Sequence, residues 1–299
     1  MDFLTFELCG VQELNPQRTF DCGQCFRWNA DAEGKYRGVA SGKAAVVWAE
    51  AGRTYIECAA GDIYFWRDYL DMETDYAEAR RSIEVCDYLR ECAAYGEGIR
   101  ILRQDKWEAL CSFIISQCNN IPRIKGIVEK LCSLYGEPVE APWGEARAFP
   151  TAERVADLSE EALAPLRSGY RAPYILAAAR AVADGDIDLG SMGFGYRAPY
   201  LVETARRVAD GFDLDGLTRC DYETAHRALV TLPGVGDKVA NCVVLFGLHQ
   251  LDAFPVDVWI KRALAANMPK GFDPSSLGKY AGLAQQYMFF HARETADQV

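Results

Sequence analysis

The spacing of hydrophobic positions changes character about a third of the way along the chain. Ala44-Ala45-Val46-Val47-Trp48 and Thr54-Tyr55-Ile56-Glu57-Cys58 are short strand-like runs separated by Ala51-Gly52, a pattern that predicts a β-hairpin. Residues 63–90 carry the next stretch, whose pattern predicts helix. Beyond Tyr95-Gly96-Glu97-Gly98 the apolar residues recur at helical intervals. Asp105 predicts the cap of a helix carrying Trp107, Leu110, Ile114 and Ile115, and a second helix is expected over residues 123–134. Asp221 predicts another capped start, and Val239 resumes an apolar helical pattern after Leu232-Pro233-Gly234-Val235-Gly236-Asp237. The expected class is α+β: an antiparallel β-sheet domain over residues 1–95 and an all-helical domain over residues 96–299.

One segment repeats. Gly169-Tyr170-Arg171-Ala172-Pro173-Tyr174 returns as Gly195-Tyr196-Arg197-Ala198-Pro199-Tyr200, and each copy leads into an alanine-containing stretch ending Val-Ala-Asp-Gly. Two copies do not make a solenoid, so a local tandem duplication near residues 169–211 is the expected origin.

Composition narrows the picture. With 299 residues, half of them hydrophobic, the chain can bury a large core. No apolar stretch approaches the length of a membrane span, and Met1-Asp2-Phe3 opens neither a basic nor a long apolar leader, so a soluble, cytoplasmic monomer is expected. Eleven scattered cysteines without a repeated framework predict reduced thiols. The three histidines show no metal-ligand spacing, and neither metal nor cofactor is expected. A net charge of −11 argues against a broad nucleic-acid-binding surface. Arg100, Arg103, Lys106, Arg123, Lys125 and Lys130 nevertheless form a basic interval that could line a groove on an acidic body.

The most chemically suggestive spacing joins Lys238 to Asp257. Gly234 and Gly236 would turn the chain and leave free amides at a helix start, where a phosphate is favoured. A lysine just inside that turn is nucleophilic once deprotonated. A carboxylate such as Asp257 stabilises positive charge developing on a sugar whose base departs. Asp257 followed by Val258-Trp259 also reads as an ordinary helix cap, and the two roles are compatible.

These residues, with Phe254-Pro255-Val256-Asp257-Val258, resemble the helix-hairpin-helix glycosylase superfamily, in which such a lysine marks members acting through a covalent imine. Asp21-Cys22-Gly23-Gln24-Cys25-Phe26-Arg27-Trp28 is similar to the N-terminal signature of its 8-oxoguanine DNA glycosylases. A redox Cys-x-x-Cys pair is the competing reading, although no βαβ unit accompanies it. The resemblance implies a bifunctional glycosylase and lyase acting on double-stranded DNA that contains 8-oxoguanine. It implies that the Gly23 carbonyl accepts the N7 hydrogen that guanine lacks, that Gln285 reads the Watson–Crick edge of the extruded base, and that Phe289 and Cys242 clamp its faces. It assigns Asn119 and Arg123 to the orphaned partner base and Tyr196 and Arg197 to the DNA wedge.

Three departures stand out. Cys118 replaces an asparagine usual in the family, which puts a strict preference for cytosine in doubt; Trp259 replaces a histidine; and the Gly-Tyr-Arg loop is doubled, with Tyr196 favoured over Tyr170 by its distance to the hairpin. No cysteine follows Cys242, so the iron–sulfur cluster of some relatives is not expected. A glycosylase for another damaged base, and a catalytically silent DNA-binding protein, remain as alternatives.

Overall fold

The computed structural model describes residues 2–117, 119–151, 154, 212–232 and 235–296. The first third builds a five-stranded antiparallel sheet in the order β1-β5-β4-β3-β2, from β1 (Phe3–Gly10), β2 (Trp28–Ala30), β3 (Tyr36–Ala40), β4 (Lys43–Glu50) and β5 (Arg53–Ala59). Both tight hairpins use the same device. Ala51 and Gly52 join β4 to β5, Ser41 and Gly42 join β3 to β4, and all four residues have positive φ, matching the twist of the flanking strands.

Helix α1 (Pro16–Asp21) and helix α2 (Ile63–Tyr69) cover the sheet. Their core is aromatic: Phe20 stacks on Trp28 at 4.1 Å, and Trp28 donates to the Tyr69 hydroxyl at 3.0 Å. Gly38 is required by closeness, since a Cβ there would sit 2.2 Å from the Trp28 ring.

The predicted helical stretch over 63–90 resolves into α2, α3 (Tyr76–Ile83) and the start of α4 (Asp87–Tyr95). Asp71 breaks the first junction with φ +51, and Asp75 then caps α3. The remaining described elements are α5 (Lys106–Ser116), α6 (Ile121–Tyr135), the hairpin β6 (Pro138–Ala141) and β7 (Gly144–Arg147), α7 (Leu214–Leu217), α8 (Tyr222–Val230), α9 (Asp237–Phe246), α10 (Val258–Asn267) and α11 (Ala281–Thr295). The hairpin adds two strands to a half of the chain expected to be purely helical. Asp105, Asp221 and Asp257 each cap the helix expected of them through a side-chain bond to a backbone N–H.

Helices α3 and α4 share one core with α5, α6 and α8 to α11, and α11 packs against both α3 and α4. The seam between this core and the sheet carries buried polar side chains. Gln24, wholly buried, donates to the carbonyls of Thr19 at 2.9 Å and Arg100 at 2.7 Å and accepts from Leu102 N at 2.9 Å. Nearby, Asp71 accepts from Arg103 at 2.7 Å and from the Tyr76 hydroxyl at 2.9 Å, and His249 lies 3.4 Å away. Burial alone would raise the Asp71 carboxyl, but His249 and Arg103 outweigh it and hold it below the ordinary range.

Candidate active site

Two helix starts form one wall of a cleft. Gly236 caps α9 with φ −80° and ψ 176°, an extended conformation open to any residue, so conformation is not what calls for glycine here. A Cβ at that position would meet nothing within 4 Å, leaving the amides of the first turn accessible. Lys238 lies in this turn, half-buried, with Nζ 5.9 Å from the centre of the Phe113 ring. Asp237 beside it adds a mostly exposed carboxylate to the same helix start. Asp257 caps α10: its Oδ1 accepts from Ile260 N at 2.9 Å, while Oδ2 has no hydrogen-bond donor among the described residues. The cap and the outward-looking carboxylate oxygen are therefore one side chain used twice.

The opposite wall is the turn after α1, laid against α11. Three of four successive carbonyls are taken by side chains: Asp21 O by Arg293 at 2.8 Å, Cys22 O by Gln286 at 2.7 Å and Gln24 O by Gln104 at 2.8 Å. Gly23 O, between them, accepts nothing from a described residue. Gly23 has φ +83°, and a Cβ would lie 3.1 Å from Ile121 and 3.2 Å from the Phe289 ring. Glycine is demanded here by both backbone and space.

Between the walls lies a cavity of about 630 Å³ that touches Asn119, Lys125, Lys238, Asp257, Trp259, Phe289 and Arg293. A recess of about 60 Å³ deepens it, lined by Gly23, Lys238, Cys242, Asp257, Gln285 and Phe289 among others. All four expected pocket residues and both expected catalytic residues thus meet in one recess. Gln285 is 5% exposed, and its Oε1 is buried without a hydrogen-bond partner among the described residues. A buried amide oxygen left unpaired is costly unless a ligand supplies the donor. Burial pushes the Cys242 thiol up to about 11, with Lys238 pulling down and Asp257 pushing up, so Cys242 is a neutral wall of the recess.

Asn119 lines the outer cavity, its amide donating to Ile115 O at 3.3 Å. Arg123 is exposed in the first turn of α6 and does not line either space. Gly234, Tyr196, Arg197, Cys118 and the duplicated segment lie outside the described residues. The redox reading of Cys22 and Cys25 fails, because both are free, buried thiols that burial pushes up, Cys22 to about 11. The basic interval is not a groove: Arg100 and Arg103 bond Asp71, Lys106 pairs with Asp215 and Lys125 with Asp21. Sequence reasoning missed Arg293, whose only signal was charge placed next to residues already singled out, and named Asp21 and Lys125 only as parts of the signature and the basic interval. No group of three or more His, Cys, Asp or Glu among the described residues could hold a metal.

Comparison with known proteins identifies the family to which this fold belongs. The family described as 8-oxoguanine DNA glycosylase, N-terminal domain, matches residues 8–110, and the HhH-GPD superfamily base excision DNA repair protein family matches residues 111–267. An N-glycosylase/DNA lyase of Saccharomyces cerevisiae is 36% identical over 169 residues, covering 56% of this chain and 41% of its own length. The N-glycosylase/DNA lyase OGG1 of Arabidopsis thaliana is 30% identical over 93% of this chain and 77% of its own. The Clostridium acetobutylicum 8-oxoguanine glycosylase/lyase, solved with double-stranded DNA containing cytosine opposite 8-oxoguanine, superposes with a TM-score of 0.79 at 30% identity, covering 99% of this chain and all of that one. This chain belongs to the HhH-GPD superfamily of base excision DNA repair proteins, in the branch that carries the 8-oxoguanine DNA glycosylase N-terminal domain.

Proposed function

We propose that the protein is a bifunctional DNA glycosylase and AP lyase that excises 8-oxoguanine from double-stranded DNA, working as a cytoplasmic monomer without a cofactor. The observation that carries this reading is the recess in which an amine, a carboxylate and an unpaired buried amide oxygen meet Gly23, Phe289 and Cys242. Duplex DNA hides its glycosidic bonds, so such a recess requires an extruded nucleotide. In the proposed division of the chain, residues 1–95 contribute Gly23 and residues 96–299 contribute the rest.

Lys238 Nζ forms a bond to the sugar C1′ as the bond from C1′ to the base breaks, and the base leaves with the electron pair and is protonated. Ring opening converts the aminal to an imine, and loss of a proton from C2′ expels the 3′ phosphate. Asp257 stabilises the positive sugar in the first of these steps, an effect greater in the transition state than in the ground state. Phe289 and Cys242 hold the base, Gln285 bonds its edge and Gly23 O accepts the N7 hydrogen. Asn119, Arg123, Tyr196, Arg197 and the amides near Gly234 and Gly236 contact the surrounding DNA.

Borohydride trapping on a duplex with 8-oxoguanine opposite cytosine tests substrate and covalent chemistry together. A trapped complex that appears with 8-oxoguanine and not with guanine is the expected result. Trapping with alkylated bases alone would replace the substrate.

A further inference from the structure

Arg293 is not among the residues that bear on the chemistry, yet it sits at the mouth of the cleft in an unusual setting. It lines the outer cavity, and its NH2 donates to Asp21 O at 2.8 Å. Its guanidinium pairs with Glu294 at 2.7 Å and lies near both the Phe289 and Phe290 rings, with Cζ 5.8 Å and 5.9 Å from their centres, and its NH1 is buried without a hydrogen-bond partner among the described residues. Arg293 follows Gln286 by two helical turns on α11, and Phe289 lies between them. Gln286 bonds Cys22 O and Arg293 bonds Asp21 O, so Phe289 is bracketed by two rivets that tie α11 to the backbone just before Gly23.

Asp21 is gripped from other directions as well. Its carboxylate accepts from Lys125 of α6 at 2.9 Å and from the Tyr36 hydroxyl of β3 at 2.5 Å, and Lys125 also donates to Trp28 O at 2.8 Å. Burial and this bond to Asp21 both raise the Tyr36 phenol, which keeps it a donor. The turn that carries Gly23 is thus fixed to the sheet, to α6 and to α11 at a single residue two positions earlier.

We propose that Arg293 and Asp21 form a positioning pair that sets the gap between Gly23 and Phe289, and through it the ability of the recess to tell 8-oxoguanine from guanine. The inference rests on the substrate proposed above. It follows from geometry: the Phe289 ring packs so near Gly23 that a Cβ there would lie 3.2 Å from it, so a small displacement of either shifts a base stacked on the ring relative to Gly23 O. A base clamped against that ring presents its N7 hydrogen to Gly23 O only when both sides are fixed. The cation above the ring restrains its tilt, and the bond to Asp21 O transfers that restraint to the turn.

The test compares Arg293→Met, Arg293→Lys and Asp21→Asn with the unaltered protein in single-turnover excision of 8-oxoguanine and guanine and in borohydride trapping on an abasic duplex, which has no base to clamp. Arg293→Met is expected to slow 8-oxoguanine release about tenfold to a hundredfold and to narrow the 8-oxoguanine to guanine ratio, with abasic trapping changed less than about twofold. Arg293→Lys restores the cation and one donor and is expected to recover part of the loss. Asp21→Asn keeps the carbonyl that binds Arg293 and should cost less than Arg293→Met. Parallel loss of release and abasic trapping, or unchanged release by Arg293→Met, overturns the positioning pair alone. An unaltered protein that traps the abasic duplex but releases no 8-oxoguanine overturns the substrate reading and the inference with it.

Discussion

On the Gly23 side of the cleft, the carbonyls of Asp21, Cys22 and Gln24 are each taken by a side chain from a distant part of the chain. On the other side, Lys238 forms no ion pair with a described residue, and Oδ2 of Asp257 has no donor among them. The first wall is built to stay still, and the free acceptor at Gly23 O is defined by the bonds around it. The second is built from helix starts whose reactive atoms are left open. Recognition by a single hydrogen bond needs a fixed acceptor, whereas bond making needs groups that can move onto the sugar.

The comparison is broken most directly at Lys238. Lys238→Gln is expected to abolish the borohydride-trapped complex while retaining binding to damaged duplex, measured by gel shift; undiminished trapping would move the nucleophile elsewhere. Asp257→Asn comes next, with base excision falling by roughly 10²–10³-fold, the scale of losing one electrostatic stabiliser. Asparagine is as good a helix cap as aspartate, so the melting temperature should hardly change, and equal falls in activity and stability would leave Asp257 a cap only.

The recognition wall should respond more gently. Gln285→Leu removes the unpaired oxygen and should slow excision of 8-oxoguanine by the equivalent of about 1–3 kcal/mol while leaving the 8-oxoguanine to guanine ratio unchanged, because the two bases share the edge it bonds, with no loss of stability. Gly23→Ala forces a Cβ into a left-handed residue, which costs about 1–2 kcal/mol in conformation before any contact with Phe289. A substitution that melts like the unaltered protein would show that the turn is softer than its bonds suggest.

A pH-dependent effect sharpens the contrast from outside the cleft. Glu108, buried in α5, has its carboxyl pushed by burial up to about 7, with Arg27 acting in the opposite sense. In the folded state it keeps its proton to higher pH than in the unfolded chain. Its contribution is therefore present at low pH and declines as pH rises from the unfolded value through about 7. Glu108→Gln should flatten that decline, worth on the order of 3 kcal/mol at most, in denaturant melts between pH 5 and 8.

Much of this was legible because the signals were local. The hairpin at Ala51-Gly52 and the caps Asp105, Asp221 and Asp257 each announce a neighbouring element, and the recess residues were found through spacing that resembles a known family. Ser41-Gly42 carries the same turn signal as Ala51-Gly52 and was overlooked because alanine and glycine dilute the flanking strand β3. Arg293 escaped for a different reason. A charged residue on a helix reads as solvent-facing, and only the fold brings Arg293 back to residue 21, 272 positions away along the chain. The basic interval misled in the converse way: Arg103, Lys106 and Lys125 are near one another in sequence but pair with Asp71, Asp215 and Asp21 in separate places.

The buried amide of Gln24 has a consequence for how the molecule comes apart. Its side chain bonds the end of α1 on one side and the strand-like run at Arg100 and Leu102 on the other, with no solvent to replace either partner. Peeling the sheet from the helices would break two buried bonds of one side chain together, which favours opening of this seam as a unit over fraying bond by bond. The Leu102 amide, held by Gln24 Oε1, should accordingly belong to the slowest-exchanging class of protons, released only when sheet and helices are lost in one cooperative step.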